Sequence, residues 1–152
     1  MVGIDASVRG ANELEALGRR LKDAGDKGLR KELLAGIRKT NKPTISAIRA
    51  NARAELPHSG GLAEIVGSSR IGTRTKLSGN RVGVLIKGTG KVSLTTLNSG
   101  RLRHPVYGNR GTWVTQQVPK GWFTDPIEKD VPRIRAGIED AMKTVARKVE
   151  RG

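Results

Sequence analysis

The sequence predicts an α+β fold: N-terminal helices, one of them long and interrupted at Pro43, then a small antiparallel β-sheet, then a long C-terminal helix. Three observations carry this reading. Apolar residues recur at spacings of three and four up to Leu56, the period of one helix face. Strand-type alternation replaces that spacing between Ile71 and Ile86 and returns near Trp113. Helical spacing then resumes from Val131 to Val149. At 152 residues the chain is the size of one domain, able to bury about two-thirds of its unfolded surface. The expected organisation is a single domain, 1–152, with a helical part over 1–56, a sheet with a basic loop over 57–124, and the C-terminal helix over 125–152.

The elements follow in order. Leu14, Leu17, Leu21 and Ala24 mark a short amphipathic helix over 12–24, closed by Gly25-Asp26-Lys27-Gly28. From Leu29 the stripe runs through Leu33, Leu34, Ile37, Asn41, Ile45, Ile48, Ala52 and Leu56. Pro43 interrupts it by removing a backbone donor, so either one kinked helix or two abutting helices are expected, with Asn41 available as a cap. Leu56-Pro57-His58-Ser59-Gly60-Gly61 breaks the pattern, and Leu62–Val66 reads as one turn of helix. Ile71–Leu77 and Arg81–Ile86 flank Gly79-Asn80 and form a hairpin. Residues 88–112, carrying Gly88, Gly90, Gly100, Gly108 and Gly111, read as a long basic loop. A strand over 113–118 follows. Val131, Ile134, Ile138, Met142, Val145 and Val149 line the last helix, with Asp125-Pro126 as its cap and first-turn proline. Acids near its start and Arg147, Lys148 and Arg151 near its end suit the helix dipole.

Composition narrows the function. There is no cysteine, so disulfides, thiolate metal sites and thiol catalysis are excluded, as befits a chain maturing in a reducing cytoplasm. The start of the chain lacks the basic and apolar segments of a secretion signal, and nowhere do 18 apolar residues run together. No membrane partner is expected. The net charge of +15 points to polyanions or acidic protein surfaces. Its distribution is lopsided. All 14 acids lie toward the two ends, and none lies between Ile65 and Thr124, where Arg70, Arg74, Lys76, Arg81, Lys87, Lys91, Arg101, Arg103, Arg110 and Lys120 fall. A run of cations is usually a solvated face, one of the readings open for Arg133, Arg135 and Lys143 on the last helix. A stretch with cations only, however, repels its own copies unless an anion is present.

Chemistry is harder to find. His58 and His104 sit in different proline-flanked segments with no paired metal-ligand spacing. Lys87-Gly88-Thr89-Gly90-Lys91 fails as a phosphate loop, because Leu85 stands where the first glycine belongs and Val92 follows the lysine. The glycine-rich middle offers no carboxylate pair for acid–base work, and Ser59 and Ser99 lack a nucleophile-elbow setting. No enzyme, cofactor or metal is expected. The partner-facing candidates are Arg74, Lys76, Arg81, Lys91, Arg101, Arg103 and Arg110. The aromatic residues Tyr107, Trp113, Trp122 and Phe123 are candidate anchors. Trp113 can cover the edge of the core. Trp122-Phe123 can either staple the last helix to the core or anchor a subunit interface, since buried aromatics dominate both.

Gly100-Arg101-Leu102-Arg103-His104-Pro105-Val106-Tyr107-Gly108-Asn109-Arg110, then Trp113, Gln116-Gln117 and Pro119-Lys120-Gly121-Trp122-Phe123-Thr124, form a pattern. With Leu56-Pro57-His58-Ser59-Gly60-Gly61-Leu62-Ala63 and the order helices, sheet, helix, it resembles the neck or tail-completion (head-to-tail connector) proteins of long-tailed bacteriophages. The resemblance covers nearly the whole chain, through structural motifs only. It implies a structural virion protein at the head–tail junction, assembled in the host cytoplasm as a homo-oligomer, a hexameric ring. It implies adjacent head-completion or stopper and tail-terminator proteins as neighbours, and duplex DNA passing through the lumen without sequence reading. Composition alone also fits a different class, a small basic cellular nucleic-acid-binding protein gripping phosphates directly.

Overall fold

The structure, a computed structural model, describes the backbone of residues 2–9, 27–78, 81–106 and 108–151, and side chains over 27–75, 84–106, 108–148 and 151. The chain has the α+β class that the sequence predicts, with a long helix before the strands and another at the end. In order come β1 (Val2–Arg9), α1 (Lys27–Glu55), a 3-10 turn (Ser59–Gly61), α2 (Leu62–Gly67), β2 (Arg70–Ser78) and β3 (Arg81–Thr89). They are followed by α3 (Leu94–Asn98), β4 (Arg101–Val106), β5 (Asn109–Gln117) and α4 (Thr124–Arg151). Strands β1, β3 and β2 make one sheet in that order, and β4 pairs with β5 in a second. The expected helix over 12–24 and the Gly79-Asn80 turn lie outside the described residues.

The chain forms two compact units, each drawn from discontinuous stretches. One comprises 1–3, 44–72 and 87–128, and the other 4–43, 73–86 and 129–152. In the second unit the first half of α1 packs on α4. Leu33, Ile37 and Asn41 are buried on α1, and Ile134, Ile138, Met142 and Val145 on α4, at the spacing read from the sequence. Small residues let the helices approach. A Cβ added at Gly36 would lie 3.1 Å from Ala141 Cβ, and one at Gly137 only 2.2 Å from Thr40 Cγ2.

Pro43 lies inside the single helix α1. A proline leaves the carbonyl four residues earlier without its usual donor and crowds that turn. Donors from side chains gather beside it: Thr40 Oγ1 donates to Gly36 O at 3.1 Å, Asn41 Nδ2 to Ile37 O at 3.0 Å, and Arg133 Nη1 to Thr40 O at 2.9 Å. Asn41 is therefore not the cap expected. It is a buried residue inside the helix, whose amide bonds back one turn. Arg133 also holds Asp130 at 2.7 Å through Nε. Lys148 pairs with Glu32.

The first unit is built around Trp122 and Phe123, buried and edge-to-face with ring centroids 5.6 Å apart. Ile48, Ala52, Leu56, Leu62, Ala63, Val66, Ile71, Leu94, Leu97, Val118 and Ile127 are the other buried hydrophobic side chains among its described residues. The two aromatics are thus core residues, and the interface alternative for Trp122 and Phe123 is corrected: at 1% and 0% exposure neither ring has surface to offer a partner. Asp125 is not the cap of α4, although Pro126 does lie in the first turn as expected. The helix begins at Thr124, and Asn98 Oδ1 accepts from the backbone N–H groups of Phe123 and Thr124 at 3.0 and 3.3 Å. Asp125 lies in the first turn, folded over Gly121, whose φ of +82° and lack of a Cβ permit that approach.

The largest departure from the sequence reading is the stretch 88–112. It is not a loop. Ser93 Oγ accepts from Thr96 N at 3.3 Å and starts α3, and Leu94 and Leu97 bury one side of that helix. A β-hairpin then occupies most of the rest. The strand expected over 113–118 begins four residues earlier, at Asn109, and ends at Gln117.

Candidate interaction surface

The β4–β5 ribbon starts from a fixed base. Gly100 N donates to Leu97 O at 3.0 Å, Val118 N to Gly100 O at 2.9 Å, and Gly121 N to Asn98 O at 2.8 Å. The end of α3, both roots of the ribbon and the entry to α4 are thereby joined. From this base the strands pair antiparallel, with Arg101 opposite Gln117, Leu102 opposite Gln116, Arg103 opposite Thr115, His104 opposite Val114 and Pro105 opposite Trp113.

The register slips between Pro105 and Val106, since Val106 pairs with Asn109, leaving Arg110, Gly111 and Thr112 as extra residues on β5. Local bonds hold this bulge. Asn109 Oδ1 accepts from Gly111 N at 2.9 Å, and Arg110 O accepts from Trp113 Nε1 at 2.9 Å. Gly108 turns the chain at φ +75°.

Opposed residues in an antiparallel pair share a face. Arg101, Arg103 and Pro105 therefore lie on one side with Gln117, Thr115 and Trp113, and Leu102 and His104 on the other with Gln116 and Val114. On the first side the Arg103 guanidinium lies 5.2 Å from the Trp113 ring centre, a cation–π contact worth about 0.5–1 kcal/mol at an exposed site. All nine residues of β5 are exposed, as are Arg101 and Arg103 on β4. Trp113 is 46% exposed. The expectation that Trp113 covers the core edge is corrected: the ring sits on an open strand beneath an arginine.

The structure brings Arg101, Arg103, Arg110 and Trp113 together on this ribbon. Lys91 is exposed in the segment between β3 and α3, and Arg74 is exposed on β2. Lys76 and Arg81 have strand backbones, but their side chains lie outside the described residues, as does Tyr107 altogether.

Sequence reasoning did not single out a groove of about 500 Å³ lined by Glu64, Ile65, Ser68, Ser69, Arg70, Thr89, Gly90 and Lys91. Its acid is already engaged. Glu64 takes Arg53 Nε at 3.0 Å, Arg53 Nη2 at 3.2 Å and Ser68 Oγ at 2.9 Å. The hydrogen bond from Arg53, then that from Ser68 and the Arg53 charge, holds the Glu64 carboxyl below the usual carboxylate range, and the same pairing raises Arg53. The one signal for the groove is Ile65, an apolar residue 42% exposed on α2.

No group of three or more His, Cys, Asp or Glu residues that could hold a metal occurs among the described residues. His104 Nδ1 lies 3.2 Å from Pro105 O, and His58 is exposed. No described helix is long and apolar enough to cross a membrane. Comparison of the chain with models of protein families, with curated proteins and with solved structures finds no match.

Proposed function

We propose that this chain is a non-enzymatic assembly subunit that docks through the cationic β4–β5 ribbon. The setting that agrees with the sequence motifs is a bacteriophage head–tail junction. There a homo-oligomeric ring, hexameric by resemblance, would join the portal-side connector to the tail around the DNA path. One observation carries the reading: β5 is exposed along its whole length, next to Arg101, Arg103 and Arg110, in a stretch with no acid from Ile65 to Thr124. A two-stranded ribbon is marginal in water without a further surface to pack on. Unscreened like charges, felt over roughly 8 Å at physiological salt, add to its cost. A partner carrying negative charge relieves both.

The test is to reverse Arg101, Arg103 and Arg110 together to Glu and to follow melting, ring or particle assembly, and duplex binding against salt. Unchanged melting with failed assembly supports the reading. A reversed protein that melts and assembles like the original refutes it.

A second reading, a small basic nucleic-acid-binding protein, is favoured by Arg101 and Arg103 sharing one face of a two-stranded ribbon, a width the major groove admits. Tight duplex binding with a steep salt slope and no self-assembly would select it.

A further inference from the structure

We infer that the outer edge of β5 is an acceptor for a β-strand from a neighbouring protein, and that this strand carries acidic residues on one face. The inference rests on the assembly reading above and names the mode of docking.

The register fixes which backbone groups are free. Val118 N donates to Gly100 O across directly opposed residues, which marks that pair as hydrogen-bonded. Because such pairs alternate with non-bonded ones, Leu102–Gln116 and His104–Val114 exchange the ladder bonds. The N–H and C=O groups of Trp113, Thr115 and Gln117 on β5, and of Arg101 and Arg103 on β4, then point away from the ribbon. Pro105 confirms the assignment, because a proline fits a strand only where no ladder donor is needed.

The two outer edges differ. On β4, Pro105 offers no donor, and arginines stand at the other two outward positions, features that discourage pairing. On β5 the outward residues Trp113, Thr115 and Gln117 all have N–H groups and are uncharged. Among the described residues the sheet has two strands, so by this alternation those N–H groups have no ladder partner on the far side. This free edge runs about 13 Å at about 3.3 Å per residue, enough for a partner segment of about five residues.

Charge selects the partner. A strand laid along β5 turns alternate side chains to the face of Trp113, Arg103 and Arg101, where carboxylates complement the guanidinium groups. Its other side chains meet Val114, itself 40% exposed, where β-branched apolar residues fit. A phosphate backbone would satisfy the arginines but leave the three edge carbonyls without donors. An acidic strand satisfies both.

The experiment titrates the full-length, isotopically labelled protein with a peptide of about seven residues alternating Glu and Val. The same peptide N-methylated at alternate residues and a short DNA duplex are titrated in parallel. The expected result is that the unmodified peptide shifts the amides of Trp113, Thr115 and Gln117 and protects them from exchange, while the N-methylated peptide does not. Thr115→Pro, which deletes an outward donor and leaves the β4 ladder intact, should weaken binding by about tenfold or more with unchanged melting. Equal binding of the N-methylated peptide, binding of duplex alone, or binding of none of the three probes overturns the inference. Thr115→Pro that assembles normally, beside an arginine reversal that does not, sinks strand addition and leaves the assembly reading standing. Normal assembly by both variants removes both.

Discussion

Asn98 Oδ1 accepts the backbone N–H of Phe123 at 3.0 Å, across 25 positions of sequence, and Asn98 O accepts Gly121 N at 2.8 Å. One residue at the end of α3 thus holds the start of α4 through both its side chain and its main chain. Asn98→Ala is expected to cost about 1–2 kcal/mol, the worth of a helix cap, seen as a lower denaturant midpoint at unchanged slope. Asn98→Asp keeps an acceptor beside the helix N-terminus and should lose less. Equal losses in the two variants would deny the oxygen its role.

The approach of Gly137 to Thr40 sets a second test. Alanine in a helix is ordinarily better than glycine by about 1 kcal/mol. Here its Cβ would meet Thr40 Cγ2 at 2.2 Å, and overpacking of this kind costs about 1–3 kcal/mol. Gly137→Ala should therefore lower the melting temperature, and Gly137→Ala with Thr40→Ala should recover part of the loss. A single variant more stable than the parent would show that the two helices separate freely.

The two tryptophans should behave oppositely. Trp122→Ala empties a fully packed site and is expected to cost about 3–5 kcal/mol. Trp113→Ala removes an exposed ring, one cation–π contact and the Nε1 bond to Arg110 O, so the loss should stay within about 1–2 kcal/mol. Acrylamide should quench the fluorescence of Trp122→Ala strongly and that of Trp113→Ala weakly, because the remaining indole is exposed in the first and buried in the second. The reverse order would contradict the burial of Trp122.

Glu64 offers a pH test. Its carboxyl lies below the ordinary range in the folded chain, chiefly through the hydrogen bond from Arg53. A depressed carboxylate contributes stability that is present above the unfolded value and lost as pH falls through the folded one. A carbon-detected titration should place the Glu64 midpoint below that of an ordinary glutamate. Arg53→Ala should move it upward, and Ser68→Ala should move it less. An unmoved midpoint in Arg53→Ala would mean that the pair does not persist in solution.

Periodicity made the long helices legible, because α1 and α4 each bury one stripe and a stripe is a local pattern. It also held enough information for β1, where Val2, Ile4, Ala6 and Val8 alternate with Gly3, Asp5, Ser7 and Arg9, although no strand was expected there. Residues 88–112 misled for a physical reason. Glycines at Gly100 and Gly108 suggested an open loop, whereas they serve a close packing point and a two-strand turn. The cap on α4 could not be read locally, since its acceptor lies in another helix. The arginine cluster was visible in composition, but the pairing of Arg103 with Trp113 depends on a register that sequence alone does not set.

Pro105 has a consequence for how many neighbours the ribbon can hold. With one flank closed by a residue that cannot donate and the other open, the hairpin has a valence of one. A strand that joins β5 finds no complementary edge on β4 through which further hairpins could stack in turn. Copies of this hairpin therefore cannot stack edge to edge without end, which separates a finite assembly from an endless fibre.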